Sequence, residues 1–381
     1  MMDPGLAAGS LLALPGLFLL VIILLLPWRP WSTRESLDAD IQDTPADLSR
    51  ITVLIPARNE QDVISQTLDG LAAQDKRLKI ILIDDQSEDQ TATLALQSNL
   101  PNLEIINGLP LPDGWSGKLW ALEQGRKRVE TELVLLLDAD IELKPGTLKS
   151  LVNKLDREQL DMLSLMACLR MQSSWEKLLM PAFIFFFKLL YPFRLVNSAS
   201  PYVAAAAGGC MLVKTASLNK AGAFSSFSNN LIDDCTLARK IKDYGGRIWI
   251  GLTHSAISMR AYNNLGAIWE MVERCAFTQL RYSWALLLVC TLLMMMIFVF
   301  PVIAILTADH WATIWGSLTL LIMYICYLPS LNYYGINPHW GWCTPVIGTL
   351  YMLMTWSSAW RHLFMSGARW KNRCYSKTAQ K

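Results

Sequence analysis

Two acidic residues directly follow a run of apolar ones, and their spacing is the first sign of chemistry in the chain. In ELVLLLDADIEL (132–143), the apolar residues 133–137 lead into Asp138 and Asp140, with one alanine between the acids. Alternation along a strand puts positions i and i+2 on the same side, so the two carboxylates are expected to point together and repel each other. A divalent cation relieves this repulsion, and hard oxygen ligands suit Mg²⁺ or Mn²⁺. The spacing therefore predicts that Asp138 and Asp140 bind such a metal.

The segments around these acids alternate between strand-like and helix-like patterns. The predicted strands are ITVLIP (51–56), KIILIDD (79–85), LEIING (103–108) and ELVLLLDAD (132–140). The helices between them are predicted from an apolar face at Ile64, Leu68, Leu71 and Ala72, from Ser87 as an N-cap, and from the segment 117–129. This alternation predicts a parallel α/β sheet, in which ligands bind at the carboxyl ends of the strands. Asp84, Asp85, Asp138 and Asp140 all fall at those ends.

The sequence lacks the glycine-rich loops that usually bind nucleotide phosphates. No GxGxxG follows the first strand, and no GxxxxGK[ST] occurs anywhere in the chain. Dinucleotide and P-loop sites therefore lose their usual support. A nucleotide site built from carboxylates and a metal remains.

The composition points towards a membrane and away from nucleic acid. Of the 381 residues, 52% are hydrophobic and 17% charged, and the net charge is only +2. The 8 cysteines are scattered without a CxxC pair, which excludes a disulfide framework or a zinc site and fits a reducing compartment.

Four apolar segments are candidates for membrane helices: 11–28, 284–307, 311–328 and 342–360. Arg29 and Arg34 follow the first, so the positive-inside rule predicts a multi-pass protein of the inner membrane whose central domain is cytoplasmic. The basic tail 361–381 is also predicted to be cytoplasmic, which conflicts with three full C-terminal spans. One of the last two segments is therefore expected to be re-entrant or interfacial, and 342–360 is the weaker candidate.

A further apolar stretch, 177–196, contains Lys188 together with Pro181 and Pro192, which are expected to break it. We interpret it as a helix in the membrane interface, with its basic residues towards the lipid head groups. The alternative is a helix buried in the protein core.

Several motifs in a fixed order resemble those of the family 2 glycosyltransferases. They are IPARNE (55–60), the strand ending at Asp84–Asp85, Gly117–Lys118, the DAD at 138–140, GGCMLVK (208–214) and IDDCTLARKIKDYGGRIWI (232–250). The resemblance covers about 50–282 and implies a cytoplasmic α/β domain of the GT-A class, Rossmann-like with a mostly parallel sheet. This domain would lie between an N-terminal transmembrane anchor (1–30) and a C-terminal transmembrane region (284–360). The segments PWRPWSTRE, WSGKLWAL and ERCAFTQLRYS resemble the membrane-bound branch associated with hopanoid biosynthesis.

The resemblance also implies roles for individual residues. Arg58, Glu60, Asp84 and Asp85 match positions that line the nucleotide pocket, and the acids at 138 and 140 match the pair that holds the metal on the sugar-nucleotide diphosphate. Asp234 matches the catalytic base. The residues assigned to the acceptor side are Gly208, Gly209, Asp233, Gln279 and Arg281.

Some of these residues also fit simpler roles. Asp233 and Asp234 could cap a helix, and Lys118, a second cation for the phosphates, could be a solvated lysine. Gly208 and Gly209 could let the acceptor approach the backbone or form a plain turn. His254 is a weaker candidate base, since a lone histidine after a strand is more often structural.

The predicted reaction is the transfer of a single sugar. Processive relatives carry QxxRW, whereas this chain has Gln279, Arg281 and Tyr282 in QLRYS. We therefore expect a metal-dependent, inverting hexosyltransferase that uses a nucleotide sugar, by default a uridine diphosphate sugar, and a lipid hydroxyl, for example of a hopanoid. The alternatives are a polyprenyl-phosphate sugar transferase and a non-catalytic membrane scaffold.

Overall fold

The computed structural model describes residues 4–42, 44–229, 232–364, 369–370 and 373–374. The described residues form two compact units, the first from those within 4–34, 171–192 and 262–364, and the second from those within 35–170, 193–261 and 369–374. The segments 171–192 and 262–282 thus belong to the first unit, although the sequence-based boundaries include them in the catalytic domain. Most of the predicted basic tail 361–381 lies outside the described residues.

The strands are β1 (Ile51–Ala57), β2 (Lys79–Asp84), β3 (Leu103–Asn107), β4 (Leu133–Leu137), β5 (Ile141–Leu143), β6 (Met162–Cys168), β7 (Cys210–Lys214), β8 (Ile248–Ser258), β9 (Arg369–Trp370) and β10 (Arg373–Cys374). The helices are α1 (Pro4–Leu25), α2 (Ile64–Ala72), α3 (Thr91–Leu96), α4 (Gly117–Arg126), α5 (Thr147–Glu158), α6 (Ser174–Leu190), α7 (Phe193–Val196), α8 (Thr215–Lys220), α9 (Asp233–Asp243), α10 (Leu265–Gln279), α11 (Trp284–Met294), α12 (Phe300–Leu306), α13 (His310–Tyr333) and α14 (Thr344–Phe364).

The second unit is built around a mixed sheet with the strand order β3-β2-β1-β4-β7-β6-β8-β5. The first four strands are parallel, as the sequence predicts. Beyond them, β7 runs antiparallel to both β4 and β6, β8 is parallel to β6, and β5 is antiparallel to β8. The expectation of a mostly parallel sheet is therefore correct for one half, whereas the other half is mixed.

The strands in the parallel half of the sheet are buried, because helices pack against them. Every residue of β1 and β4 is buried, which is typical of strands in parallel sheets. On α2, Ile64, Leu68 and Leu71 are buried as predicted. Gly125 of α4 allows that helix to approach the sheet, since a Cβ at this position would lie 2.7 Å from Cδ1 of Ile83.

Helix α3 begins later than the sequence predicts, so Ser87 is not its N-cap. Gln90 occupies that position and makes no side-chain capping bond. The Ser87 hydroxyl instead accepts a hydrogen bond from the backbone N–H of Asn59 (3.0 Å), and its own N–H donates to Asp84 Oδ1 (3.1 Å). Ser87 thereby joins the loops after β1 and β2, which place the predicted nucleotide-binding residues.

The first unit is helical, and in the described part of the chain two of its helices are long and apolar enough to cross a membrane by length and composition. They are Trp284–Leu306, which is α11 and α12 joined by a π-helical turn, and His310–Tyr333, which is α13. In α1 (Pro4–Leu25) the side chains are described only from residue 12 onwards, and the part Leu12–Leu25 is an apolar helix shorter than these two. Helix α14 is not among the candidates, in line with the weaker status predicted for 342–360.

Helix α6 differs from the predicted interfacial helix in the position of its lysine. The helix continues through Pro181 and ends before Pro192. Lys188 is only 1% exposed and donates to the carbonyl of Ser32, also in the first unit. The expectation that Lys188 points towards lipid head groups is therefore wrong, because the buried ammonium group has a backbone acceptor. Lys188 is therefore in the environment expected for the alternative, a helix buried in the protein core.

Candidate active site

The two acids of the DAD motif lie in a turn just beyond β4. The strand ends at Leu137, and the backbone N–H of Ile141 donates to the Asp138 carbonyl (3.1 Å). Strand alternation is therefore not what brings the acids together. Burial raises the pKa of Asp138, Lys118 lowers it, and the nearby charge of Asp140 raises it, so the net direction is upward. The charge of Asp140 thus acts on Asp138, while a metal shared by the two acids stays a prediction.

Lys118 is an integral part of the site. It is the second residue of α4, whose N-cap is Ser116. Its Nζ lies 2.7 Å from Asp138 Oδ1 and 3.9 Å from Asp233 Oδ2, and the side chain is only 22% exposed. Burial lowers its pKa, but Asp138 and Asp233 raise it further, so the group stays an ammonium ion. The alternative of a solvated lysine is wrong.

Asp233 and Asp234 are the first two residues of α9, and neither is its N-cap. Ile232 holds that position. Asp234 Oδ1 accepts a hydrogen bond from the N–H of Cys235 (2.7 Å). Burial, followed by the charge of Asp233, raises the pKa of Asp234 to about 7, while the N–H groups of Cys235 and Gly208 and the charge of Lys118 oppose the rise. A carboxylate with this pKa exchanges a proton near neutral pH, as a general base must.

Gly208 brings the backbone against both Asp234 and Lys118. A Cβ at this position would lie 3.2 Å from Asp234 Oδ2 and 3.3 Å from Lys118 Nζ. At Gly209 a Cβ would meet the Ile141 side chain at 3.3 Å. The absence of a side chain at Gly208 thus lets the backbone lie close to Asp234 and Lys118. The predicted close approach at this glycine is made by these two side chains of the site.

A second cluster, which the sequence analysis did not identify, is centred on Arg260. Its Nε lies 3.0 Å from Asp140 Oδ2, and its Nη2 lies 3.0 Å from Glu60 Oε1. The hydroxyl of Ser258 donates to the same Asp140 oxygen at 3.4 Å. Arg260 follows the end of β8 by two residues, and the sequence analysis did not predict where this strand ends.

The predicted nucleotide-pocket residues at the ends of β1 and β2 form a third group. Arg58 is 8% exposed, and its Nη1 donates to the carbonyls of Asp85 (2.6 Å) and Gln86 (3.1 Å). Asp84 is 9% exposed and Asp85 is fully buried. Arg58 therefore fixes the end of β2, where the base of a nucleotide is expected.

The remaining predicted residues lie elsewhere. His254 is on β8, with Nδ1 3.1 Å from Asp38 Oδ2, which agrees with a structural role. Gln279 and Arg281 lie in the first unit, where Gln279 Oε1 accepts a hydrogen bond from the hydroxyl of Tyr191 (2.6 Å). Their assignment to the acceptor side stays a prediction.

The carboxylates of the DAD motif fit a divalent ion that is shared with a diphosphate. The described residues contain no group of three or more histidine, cysteine or acidic side chains that could hold a metal without help. Lys118 engages Oδ1 of Asp138, and Arg260 engages Oδ2 of Asp140. Mg²⁺ is commonly bound by one or two carboxylates together with substrate phosphates and water. Asp138 and Asp140 would supply two such carboxylates, and metal binding by them stays a prediction.

Sequence comparisons find similarity to glycosyltransferases, the class that the motifs of the chain resemble. Residues 52–222, somewhat less than half of the chain, match the family described as glycosyl transferase family 2. The 4,4'-diaponeurosporenoate glycosyltransferase of Staphylococcus haemolyticus is 31% identical over 113 residues, which cover 29% of either chain. The enzyme of the same name from Staphylococcus aureus (strain USA300) is 30% identical over 106 residues, or 27% of this chain and 28% of that one. The chain thus spans less than a third of the length of these curated relatives.

A solved structure matches nearly the whole chain in fold. The mannosyltransferase PcManGT from Pyrobaculum calidifontis, in complex with GDP-Man and Mn²⁺, aligns with a TM-score of 0.57 and 18% identity. The alignment covers 94% of this chain and 99% of the mannosyltransferase. At this identity the likeness establishes the fold, which is the GT-A-like α/β fold that the motifs predict.

Proposed function

We propose that the protein is a membrane-bound glycosyltransferase of family 2 that moves one sugar from a nucleotide-diphosphate sugar to a lipid hydroxyl. The observation that carries the proposal is the position of Lys118. A single ammonium group lies 2.7 Å from Asp138, on the side predicted for the leaving group, and 3.9 Å from Asp233, next to the predicted base. Asp138, proposed to stabilise the leaving group, thus lies near the acids proposed to hold the acceptor and its base, as a single displacement requires.

The donor would bind across the carboxyl ends of β1, β2 and β4. Arg58, Asp84 and Asp85 would form the base and ribose end of this site, with Glu60 between them and the diphosphate. A divalent ion held by Asp138 and Asp140 would neutralise the charge that grows on the departing diphosphate. Lys118 would contribute a second positive charge, and the Asp138 and Asp233 carboxylates keep it protonated.

Asp234 would take the proton from the attacking hydroxyl. With a pKa of about 7 it is partly ionised at neutral pH and still basic enough to accept a proton. A well-placed general base typically contributes about 10²–10⁴-fold to the rate. One displacement with one base inverts the anomeric centre, so we propose an inverting, non-processive reaction.

The apolar surface of the first unit supports a lipid acceptor. Large side chains of α11 lie open, among them Leu288, which is 58% exposed, and Val289, which is 53% exposed. Such a surface is compatible with lipid rather than water. The names of the curated relatives also refer to a lipid-like substrate, diaponeurosporenoate. We propose a hopanoid or related polycyclic or polyprenyl lipid as acceptor, and a catalytic unit on the cytoplasmic side, where sugar nucleotides are found.

The test is a transfer assay with membranes that contain the full-length protein. Radiolabelled UDP- and GDP-sugars are added singly, with Mn²⁺ or with EDTA, and the lipids are then extracted. We expect label in a single lipid product with one donor, with Mn²⁺ only, and not with membranes that carry Asp234→Asn. If no donor gives a labelled product, the result favours the scaffold alternative, and if long polymers form, the single-transfer mechanism is wrong.

A further inference from the structure

Each acid of the DAD motif already has a cationic partner from the protein. Lys118 Nζ lies 2.7 Å from Asp138, and Arg260 Nε lies 3.0 Å from Asp140. Each cation also lies near a second carboxylate: Arg260 Nη2 is 3.0 Å from Glu60, and Lys118 Nζ is 3.9 Å from Asp233. The pairs therefore relieve the repulsion between the acids without a metal, which removes one reason for a metal to bind alone.

Arg260 is well suited to hold Asp140 while no donor is present. Its partners Asp140 and Glu60 are only 11% and 12% exposed, whereas the arginine side chain is 36% exposed. The Asp140 carbonyl also accepts a hydrogen bond from the N–H of Met259 (2.8 Å), so the backbone on either side of the ion pair is fixed. An ion pair between partly buried groups is stronger than one in open solvent.

We propose that Arg260 is the resident counter-ion of Asp140 and makes metal binding conditional on the donor's diphosphate; this inference rests on the proposed glycosyltransferase function. A divalent ion that reaches Asp140 by itself has to displace the guanidinium group. A diphosphate that arrives with the ion offers this group another anionic partner, since guanidinium binds phosphate oxygens well. Arg260 is thus a positioning residue that couples the two ligands.

Coupling of this kind has a thermodynamic signature that a purely structural arginine lacks. If Arg260 competes with the metal, its removal strengthens Mn²⁺ binding to the nucleotide-free protein and reduces the gain in affinity that a nucleotide brings. Coupling between two ligands is reciprocal, so the nucleotide's gain from Mn²⁺ falls by the same factor. Loss of structure would weaken every one of these binding steps.

The experiment measures Mn²⁺ binding to the purified full-length protein by electron paramagnetic resonance, without nucleotide and with UDP or GDP. For Arg260→Met we expect nucleotide-free Mn²⁺ affinity about tenfold higher than in the wild type, and a nucleotide-dependent gain about tenfold smaller. Arg260→Lys keeps the positive charge and is the matched control, with an affinity near that of the wild type. Nucleotide-free affinity that is unchanged or lower in Arg260→Met overturns the proposal.

A second variant keeps the test decisive if Arg260→Met does not fold. Glu60→Gln removes the other partner of Arg260, which should then hold Asp140 more tightly, so nucleotide-free Mn²⁺ affinity should fall. In the Arg260→Lys background the two N–H groups that bridge Asp140 and Glu60 are lost. Glu60→Gln should there have less than half of its logarithmic effect on Mn²⁺ affinity, because coupled residues are not additive. If Glu60→Gln lowers nucleotide-free Mn²⁺ affinity equally in both backgrounds, its effect does not act through Arg260. If the wild type binds UDP or GDP with no metal dependence at all, the proposed function fails, which is a different outcome.

Discussion

Asp234 and Asp138 are both acids beside Lys118, yet their surroundings suit them to different tasks. Asp138 forms a 2.7 Å ion pair with Lys118. Burial and the charge of Asp233 raise the pKa of Asp234 to about 7, although backbone N–H groups oppose the rise. The pKa of Asp138 is raised as well, but its ion pair with Lys118 suits it to the binding of charge, whereas a pKa of about 7 suits Asp234 to proton transfer.

Replacement of Asp234 tests the proposed base. Asp234→Asn should lower the transfer rate by at least about 10²-fold, because the amide cannot take up the proton of a hydroxyl acceptor. Donor binding, measured by calorimetry with Mn²⁺ and nucleotide, should change little. Asp243→Asn, at the exposed far end of the same helix, is the matched control. A phosphate acceptor needs no deprotonation, so a mild effect of Asp234→Asn would favour the polyprenyl-phosphate alternative.

The raised pKa of Asp234 also predicts how stability depends on pH. A carboxyl group with a folded-state pKa near 7 and an unfolded value near 4 stabilises the fold below the unfolded value, and this contribution is lost as the pH rises through 7. Asp234→Asn, which stays neutral, should therefore raise the melting temperature more at pH 8 than at pH 5, since the contribution declines between the unfolded and the folded pKa. Thermal unfolding of both proteins across this pH range measures the difference in melting temperature. The same ionisation of Asp234 should make the transfer rate of the wild type rise with pH around 7. An equal shift at both pH values would show that Asp234 is not buried as an acid.

Arg260 shows why part of the site could not be predicted from sequence. The DAD, Asp84 and Asp85 could be predicted because each follows an apolar run that must be a buried strand. Arg260 is separated from Asp140 by 120 positions and from Glu60 by 200. Only the pairing of β8 with β5, which directly follows the DAD turn, brings this arginine to the acids.

At the scale of elements, local pattern was sufficient for the parallel half of the sheet and insufficient for the rest. Continuous apolar runs separated by amphipathic helices determine β1 to β4. The antiparallel insertion of β7 between β4 and β6 depends on long-range pairing that no local pattern encodes. For the same reason Ser87 looked like a cap, whereas its hydroxyl is engaged by Asn59, 28 positions away.

Gly125 makes the packing of α4 on the sheet testable. Alanine is the better helix former by about 1 kcal/mol, but its Cβ would lie 2.7 Å from Cδ1 of Ile83. We expect the clash to dominate, so Gly125→Ala should destabilise the fold by about 1–2 kcal/mol and weaken donor binding, because α4 carries Lys118. Chemical denaturation measures the loss. Ile83→Val removes Cδ1, so the double variant should recover most of the stability; if it does not, the packing is not the cause.

At the scale of the whole molecule, the apolar helices predict firm attachment to the membrane. The two long helices Trp284–Leu306 and His310–Tyr333 would hold the protein by burial of apolar surface, which neither salt nor high pH disrupts. After cell lysis the full-length protein should therefore remain in the membrane fraction through washes with concentrated salt and with alkaline carbonate, and detergent should release it. Release by salt alone would indicate electrostatic attachment to the lipid surface.

The helical first unit is interrupted in sequence by two long segments of the sheet-bearing second unit, 35–170 and 193–261. The hydroxyl of Thr319 on α13 contacts the carbonyl of Ala13 on α1 at 3.5 Å, across 306 positions of chain. At about 5–20 residues per second of protein synthesis, α1 leaves the ribosome roughly 15–60 s before this partner exists. During translation α1 is therefore exposed for this time without its contact to α13. A chain that is truncated before α13 lacks this packing partner of α1 altogether.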